Sequence, residues 1–251
     1  MEVTIYTASY GECLTKEKYG IEHALGLKLL AKGLNTLYHL SYTPDQLSEA
    51  LSKNEYGKPY LSAHPDIFFN ISHTDNFVVC GFAEREIGVD AEIIGAYPAA
   101  VFRKVFTADE AALIENAPDE TKQQEMFARL WTLKESRIKE AGMGFSMSPV
   151  DFSFDIDCST EPAKIQCFEA GVHFAQKMFT VAEADCLSND TENMNTTKIT
   201  SDVSVPTDTL ANTNLNENLI TDTKFKSENQ KIARYMISVC AKCENIELVF
   251  K

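Results

Sequence analysis

Two acidic residues interrupt an apolar run that reads IGVDAEII. Asp90 and Glu92 lie two positions apart, so on a β-strand their side chains would share one face. Adjacent carboxylates repel each other, which is tolerable if that face is hydrated or if a cation lies between them. Gly88 precedes Asp90 on the same face and leaves room there for something bulky. The strand alone therefore indicates either a hydrated sheet face or a site for a divalent metal ion.

A predicted amphipathic helix further along the chain, QQEMFARLWTLKESRIKEAGMG, supplies a third acid and two lysines. At about 100° per residue, Glu135 and Lys139 fall one turn apart at the edge of its apolar stripe, and Lys134 falls inside the stripe. The polar residues opposite that stripe are Arg129, Ser136 and Glu140.

Each of these helix residues has two interpretations. Glu135 and Lys139 could form an i,i+4 surface pair that stabilises the helix by about 0.2–0.5 kcal/mol, and Lys134 could bury its stem while its ammonium stays in water. If Glu135 instead meets Asp90 and Glu92, the three carboxylates form an oxygen donor set. Mg²⁺ favours such a set and takes its remaining ligands from water and substrate phosphates.

Candidate phosphate ligands occur upstream. The segment FFNISHTDNF ends a predicted strand with Ser72 and His73, whose hydroxyl and imidazole can donate to phosphate oxygens. A histidine at a strand end is also commonly structural. Lys58 lies in the turn of NEYGKPYL, where a lysine is ordinarily solvated.

The composition restricts the class of protein. Apolar residues make up 44% and charged residues 24% of 251, as in a soluble globular protein. The net charge of −14 disfavours nucleic acid as a partner. Apolar runs long enough for a membrane span are absent from the sequence, and Met1 to Gly11 lack the order of a secretory signal. Seven cysteines at irregular spacing fit a reducing compartment, so we expect a cytoplasmic protein.

Hydrophobic periodicity predicts an α+β fold with a repeated order of helices followed by strands. The predicted helices cover 17–39, 45–53, 107–116 and 120–141. The predicted strands cover 67–73, 77–83, 87–94, 150–156, 164–169, 173–182, 234–241 and 246–250.

This order suggests a duplication, with an N-terminal half over 1–86 and a C-terminal half over 87–251. Each half would contain an antiparallel sheet packed on a long helix, and a ligand would bind where the halves meet. Short polar gaps predict that the strands at 67–73, 77–83 and 87–94 form a meander. Residues 186–230 are rich in Asn and Thr and are predicted to be a disordered insertion.

Taken together and in order, GKP, FNISH, IGVDAE and LWTLKESRIKEAGMG resemble the surfactin-type 4'-phosphopantetheinyl transferases, which are monomeric and built from two halves. Residues 88–92 match the family signature G-[apolar]-D-x-E, and residues 131–139 match W-[small]-x-K-E-[ST/A]-x-x-K at every anchor position. The resemblance covers about residues 55–155. It implies transfer of the phosphopantetheine arm of coenzyme A to a serine of an acyl or peptidyl carrier protein, with release of 3',5'-adenosine bisphosphate.

The resemblance also implies roles for the residues named above. Asp90, Glu92 and Glu135 would hold Mg²⁺, with Mn²⁺ as the alternative ion, against the diphosphate. Glu135 or a metal-bound water would accept the serine proton, and Lys139 would stabilise or protonate the departing bisphosphate. The residues expected to bind coenzyme A are Lys58, Ser72, His73, Lys134, Lys139 and, in the N-terminal helix, Lys28.

Two other classes of protein are alternatives to this family. A module that binds coenzyme A or a carrier protein without catalysis would have no need to retain paired acids and Lys139. The sequence CAKC at residues 240–243 could indicate a zinc or redox site, but a lone pair of cysteines in a strand-like run favours buried or incidental thiols. His23 lies on the Leu27/Leu30/Leu34 face of the predicted N-terminal helix and is expected in the protein core.

Overall fold

The computed structural model describes residues 1–11, 14–160, 162–182 and 232–251. The helices in these ranges are α1 (Thr15–Tyr38), α2 (Pro44–Ala50), α3 (Ala99–Val105), α4 (Ala108–Glu115) and α5 (Glu120–Ala141), with 3₁₀ turns at Gly144–Ser146 and Pro149–Asp151. The strands are β1 (Glu2–Ser9), β2 (Leu51–Lys53), β3 (Pro59–Leu61), β4 (Phe68–Thr74), β5 (Phe77–Ala83), β6 (Ile87–Ile93), β7 (Phe154–Asp157), β8 (Lys164–Cys167), β9 (His173–Ala182), β10 (Ile232–Ala241) and β11 (Glu247–Phe250). The predicted insertion at 186–230 lies outside the described residues.

Two sheets form the centre of the fold. The first has the strand order β11-β1-β5-β4 and the second has the order β6-β10-β9, while β2-β3 and β7-β8 are separate hairpins. All pairs are antiparallel except β1 with β11, which run parallel. The prediction of an α+β fold with antiparallel sheets is confirmed.

The predicted duplication into halves stays a prediction. The last strand, β11, lies beside β1 in the first sheet, so that sheet includes chain from both sides of the expected boundary after residue 86.

The sheets are stacked between helices. One face of the first sheet packs on α1 through a cluster that includes Leu30 and Phe82. Its other face packs on the second sheet, where Phe77 stacks on Tyr235 with ring centroids 4.4 Å apart. Burial on both faces explains why β5 is apolar throughout rather than alternating. Within the described chain, none of the helices combines the length and apolarity that a membrane span requires.

Several predicted elements differ from the structure. The helix expected over 45–53 ends at Ala50, because the next three residues form β2 and pair with β3. The strands β4 and β5 pair as expected, but β6 pairs with β10, so the predicted meander is wrong at its third strand. Sequence patterns did not predict β1 or α3.

Helix α5 agrees with its predicted bounds, and its ends have clear causes. The Asp119 side chain accepts a hydrogen bond from the backbone N–H of Lys122 at the start, and Gly142 ends the helix with φ 64°. The face opposite the apolar stripe is also buried, contrary to the usual exposure of such a face: Arg129, Ser136 and Glu140 are 3%, 0% and 6% exposed. The helix is therefore enclosed on two sides, since this second face packs on the sheet of β6 and β10.

Gly88 is the residue that lets α5 approach β6. A Cβ atom at this position would lie 1.8 Å from the carbonyl oxygen of Ser136 and 2.3 Å from the amide nitrogen of Glu140. The space that the sequence leaves beside Asp90 is thus filled by the helix backbone.

Replacing Gly88 with Ala should push α5 away from β6 and lower the free energy of unfolding by about 1–3 kcal/mol. Urea denaturation measures this change. Gly95→Ala is the matched control, because an added Cβ there meets no atom within 4 Å. Equal unfolding free energies for the two variants would contradict this explanation of Gly88.

Candidate active site

A ladder of polar side chains joins the two sheets where β4 faces β6. Strand β6 pairs with β10 along one edge, and backbone N–H groups that β10 does not use donate to side chains of β4. The pairs are Val89 N with Asn70 Oδ1 (2.8 Å), Ala91 N with Ser72 Oγ (3.3 Å) and Ile93 N with Thr74 Oγ1 (3.4 Å). Because both strands contribute every second residue, the ladder holds β6 in one register against β4.

Asp90 lies within this ladder and is held by two donors. The Ser72 hydroxyl donates to Asp90 Oδ1 at 2.9 Å, and Lys139 Nζ donates to the same oxygen at 2.6 Å. Lys139 Nζ also donates to Ser72 Oγ at 2.8 Å. The Ser72 oxygen therefore accepts from Lys139 and from Ala91 N and gives its one proton to Asp90, which uses all of its hydrogen-bonding capacity.

The second oxygen of Asp90 is in the opposite situation. Asp90 is only 5% exposed, and its Oδ2 is buried without a hydrogen-bond partner among the described residues. A buried acceptor of this kind costs about 1–3 kcal/mol, and more when it is charged. A cation bound at Oδ2 would remove that cost.

The other two acids act electrostatically on Asp90 and on each other. Burial raises the pKa of Glu135, Asp90 raises it further, and Lys139 opposes them. Burial also raises the pKa of Glu92, which a hydrogen bond from Thr74 lowers and the charge of Asp90 raises. Asp90, Glu92 and Glu135 thus form a partly buried group with excess negative charge.

These residues fit a hard divalent cation that is completed by a ligand. Within the described ranges, no three His, Cys, Asp or Glu side chains are already arranged as a metal cage. Mg²⁺ needs no such cage, because it commonly binds one or two carboxylates together with waters and substrate phosphates. The unpartnered Asp90 Oδ2, with the acids Glu92 and Glu135 beside it, could hold the ion in that way.

Ser72 and His73 face different parts of the protein, as consecutive strand residues must. Ser72 faces Asp90, whereas the His73 ring lies 3.0 Å from Glu22 on α1, measured from Nδ1 to Oε2. Glu22 is buried and also accepts a hydrogen bond from the Tyr10 hydroxyl at 2.7 Å. The His73 side chain is 47% exposed, so its contact with a phosphate stays a prediction.

Lys58 connects three elements. Its Nζ donates to Glu86 Oε2 at 2.5 Å, to the carbonyl of Ile87 at the start of β6 at 3.1 Å, and to the carbonyl of Glu140 in α5 at 3.2 Å. A cleft of about 160 Å³ beside it is lined by residues that include Tyr60 and His64. To bind a phosphate, Lys58 would have to release Glu86.

Two further predictions concern residues of α1, Lys28 and His23. Lys28 is half-buried, and its contact with the nucleotide stays a prediction. The prediction of a core position for His23 is wrong: this residue is exposed and its ring stacks on Tyr19. The side chain turns outward because the helix buries the neighbouring Glu22 and Leu25 instead.

Comparison with known proteins assigns the part of the chain that carries the acids. The model of the 4'-phosphopantetheinyl transferase superfamily matches residues 86–180. Residues 86–180 are therefore similar to that superfamily. The matched stretch includes Asp90, Glu92, Glu135 and Lys139, while Ser72 and its neighbours on β4 precede it.

Individual relatives agree with this assignment and confirm the resemblance to the surfactin type. A 4'-phosphopantetheinyl transferase of Bacillus subtilis is 36% identical over 114 residues, which are 45% of this chain and 50% of the relative. The 4'-phosphopantetheinyl transferase gsp of Aneurinibacillus migulanus is 39% identical over 105 residues, 42% of each chain. The L-aminoadipate-semialdehyde dehydrogenase-phosphopantetheinyl transferase of Mus musculus is 33% identical over 120 residues, 42% of this chain and 38% of the relative. The chain spans about half the length, or less, of these curated relatives.

Within the transferase-superfamily segment, the structure corrects the expectation for Lys134. Its side chain is 0% exposed, and Nζ lies 2.8 Å from Glu110 Oε2. The same nitrogen donates to the carbonyls of Pro149 and Phe152 at 2.7 and 2.5 Å. Burial lowers the pKa of Lys134, and Glu110 opposes that effect. All three N–H bonds are used inside the protein, so Lys134 joins α4, α5 and the chain before β7 instead of contacting a ligand.

The cysteines of CAKC are consistent with incidental thiols. Cys240 is fully buried in β10, where burial raises the pKa of its thiol, and Cys243 donates to the carbonyl of Asn245 at 3.3 Å. In the described part of the chain, no three His, Cys, Asp or Glu side chains come together as a metal-binding group.

Sequence reasoning missed two members of the ladder, Asn70 and Thr74. A signal for them was present, because NISHT places polar residues at every second position. That alternation indicates that one face of the strand makes polar contacts, although it cannot identify the partner strand.

Replacing Lys134 with Met should lower the free energy of unfolding by about 3–5 kcal/mol, because Glu110 would remain buried without its cation. Urea denaturation measures this, and the double variant Lys134→Met/Glu110→Gln should recover part of the loss. A Lys134→Met protein with unchanged stability but weaker binding of coenzyme A would instead support the original expectation of a ligand contact.

Proposed function

We propose that this protein transfers the 4'-phosphopantetheine arm of coenzyme A to a serine of an acyl or peptidyl carrier protein, with Mg²⁺ as cofactor and 3',5'-adenosine bisphosphate as the second product. The observation that carries the proposal is the state of Asp90. One of its oxygens is held by Ser72 and Lys139, and the other is buried and unpartnered beside two further acids. This arrangement lies in a segment of the 4'-phosphopantetheinyl transferase superfamily.

Asp90, Glu92 and Glu135 are the proposed metal ligands. When bound, Mg²⁺ or Mn²⁺ would neutralise negative charge on the diphosphate and so make its phosphorus easier to attack. The acids also disfavour a bare phosphate. Burial is the main cause that raises the pKa values of Glu92 and Glu135, and the negative charge of Asp90 adds to it. That negative charge would repel an anion that arrived without a cation.

Glu135 is the proposed general base. The hydroxyl oxygen of the carrier serine attacks the phosphorus that bears the pantetheine arm, and the bond from that phosphorus to the bridging oxygen breaks. The bridging oxygen leaves with the bond pair as part of the adenosine bisphosphate, and the serine proton passes to the Glu135 carboxylate. Without a metal, burial first, and then Asp90, raises the pKa of Glu135; a bound cation would lower it again.

Lys139 is the proposed stabiliser of the leaving group. Its side chain is 28% exposed and its Nζ lies 2.6 Å from Asp90 Oδ1, so a cation is already present beside the proposed metal position. Charge that develops on the bridging oxygen would be stabilised there without reorganisation of the side chain.

The nucleotide end of coenzyme A is proposed to bind on the side of Lys58, His73 and Lys28. The cleft beside Lys58 includes a lysine and a histidine among its lining residues, and both side chains can donate to phosphate oxygens. The monomeric state and the cytoplasmic location stay predictions.

The direct test uses the whole chain, coenzyme A, Mg²⁺ and an apo carrier protein, with the carrier analysed by mass spectrometry. We expect the carrier to gain the mass of phosphopantetheine and adenosine bisphosphate to appear in equal amount. Tight binding of coenzyme A with an unchanged carrier mass would indicate a binding module instead.

The variants Asp90→Asn and Glu135→Gln should lower the rate of transfer by about 10²–10⁴-fold, because each removes a proposed metal ligand and the second also removes the proposed general base. The fold should survive, because each variant also removes charge from a crowded acidic group. The measurement is the initial rate of carrier modification, with circular dichroism to verify folding. Glu49→Gln on exposed α2 is the matched control and should behave as wild type. Full activity of either site variant would contradict the proposed roles.

A further inference from the structure

Thr74 occupies the same position relative to Glu92 that Ser72 occupies relative to Asp90. The Thr74 hydroxyl donates to Glu92 Oε1 at 2.9 Å, and its oxygen lies 3.4 Å from the donating amide of Ile93. Each hydroxyl therefore bonds a carboxylate eighteen residues further on and the backbone amide that follows that carboxylate. The repeat places both acids by the same means.

The Thr74 hydroxyl donates its proton to the Glu92 carboxylate. A hydroxyl has a single proton, and Thr74 Oγ1 faces an N–H donor at Ile93, so the proton goes to the carboxylate. Glu92 Oε1 also accepts from the Ile93 amide at 3.1 Å. With two donors at Oε1, this oxygen is occupied in the way that Asp90 Oδ1 is occupied, and Oε2 is the oxygen left for another ligand.

We propose that Thr74 is a positioning residue that holds Oε1 of Glu92, so that its other oxygen acts with Asp90 Oδ2 on the divalent cation. This inference rests on the proposed function, because it assigns Thr74 a role toward the metal of that same site. The neighbouring Asn70 provides the contrast: it accepts from the Val89 amide in the same ladder but holds no carboxylate there.

A purely structural role for Thr74 predicts different behaviour. In that case its hydroxyl would serve to hold β6 against β4, as Asn70 does, and its removal would lower stability without a specific effect on metal binding. A positioning role predicts a loss of metal affinity that depends on Glu92, since groups that orient metal ligands commonly contribute about 10–100-fold in affinity.

The experiment measures Mn²⁺ binding by electron paramagnetic resonance, with coenzyme A present and the carrier protein absent. Thr74→Val should weaken Mn²⁺ binding about 10-fold or more, whereas Thr74→Ser keeps the hydroxyl and should bind nearly as wild type. Thr36→Val is the matched control, because it removes an exposed threonine hydroxyl that donates to the carbonyl of Lys32 in α1. Equal Mn²⁺ affinity of Thr74→Val and wild type would overturn the inference.

A double-mutant cycle keeps the test decisive if Thr74→Val also loses stability. In a Glu92→Gln background, Thr74→Val should cause little further loss of Mn²⁺ affinity, because its effect passes through Glu92. Additive losses would overturn the positioning role in favour of a general displacement of β6. Failure of the wild-type protein to bind Mn²⁺ at all would overturn the proposed function itself, a result that differs from equal binding by wild type and variant.

Discussion

The candidate site depends on one asymmetric interaction, the binding of a single oxygen of Asp90 by Ser72 and Lys139. Both donors reach Oδ1, at 2.9 and 2.6 Å, and Oδ2 stays buried without a partner in the described chain. A carboxylate held in this way has a fixed orientation, and the negative charge on its second oxygen is not compensated. Lys139 supplies part of that charge, but Glu92 and Glu135 add more negative charge nearby than one ammonium can balance. A divalent cation would offset this excess of negative charge.

The fold brings these groups together through close packing of a helix on a strand. Lys139 and Glu135 come from α5 and Asp90 comes from β6, so their distance depends on how near the two backbones approach. Gly88 sets that distance, since any Cβ there would overlap the backbone of α5. The side-chain ladder from β4 then fixes β6 from its other edge. The elements β4, β6 and α5 come from different parts of the chain. They meet where the two sheets face each other, and the site lies there.

The sequence was sufficient for elements with strong local signals. Helix α5 has an Asp cap and a terminal Gly and agrees with its predicted bounds of 120–141, and β5 and β9 agree with 77–83 and 173–182. Local patterns could not identify the partner of β6, because β10 is more than a hundred residues away. They also could not distinguish a lysine that ends in a buried ion pair, such as Lys134, from one that ends at a ligand, such as the role proposed for Lys139. The choice of partner is a tertiary contact in each case, and periodicity carries no information about it.

The most direct test of this account is a crystal structure of the protein with Mn²⁺ and coenzyme A, in which anomalous scattering locates the metal. The account predicts a metal peak about 2.1 Å from Asp90 Oδ2, with Ser72 and Lys139 still bonded to Oδ1. A metal bound through Oδ1 with Ser72 displaced, or a metal bound away from Asp90, would contradict it.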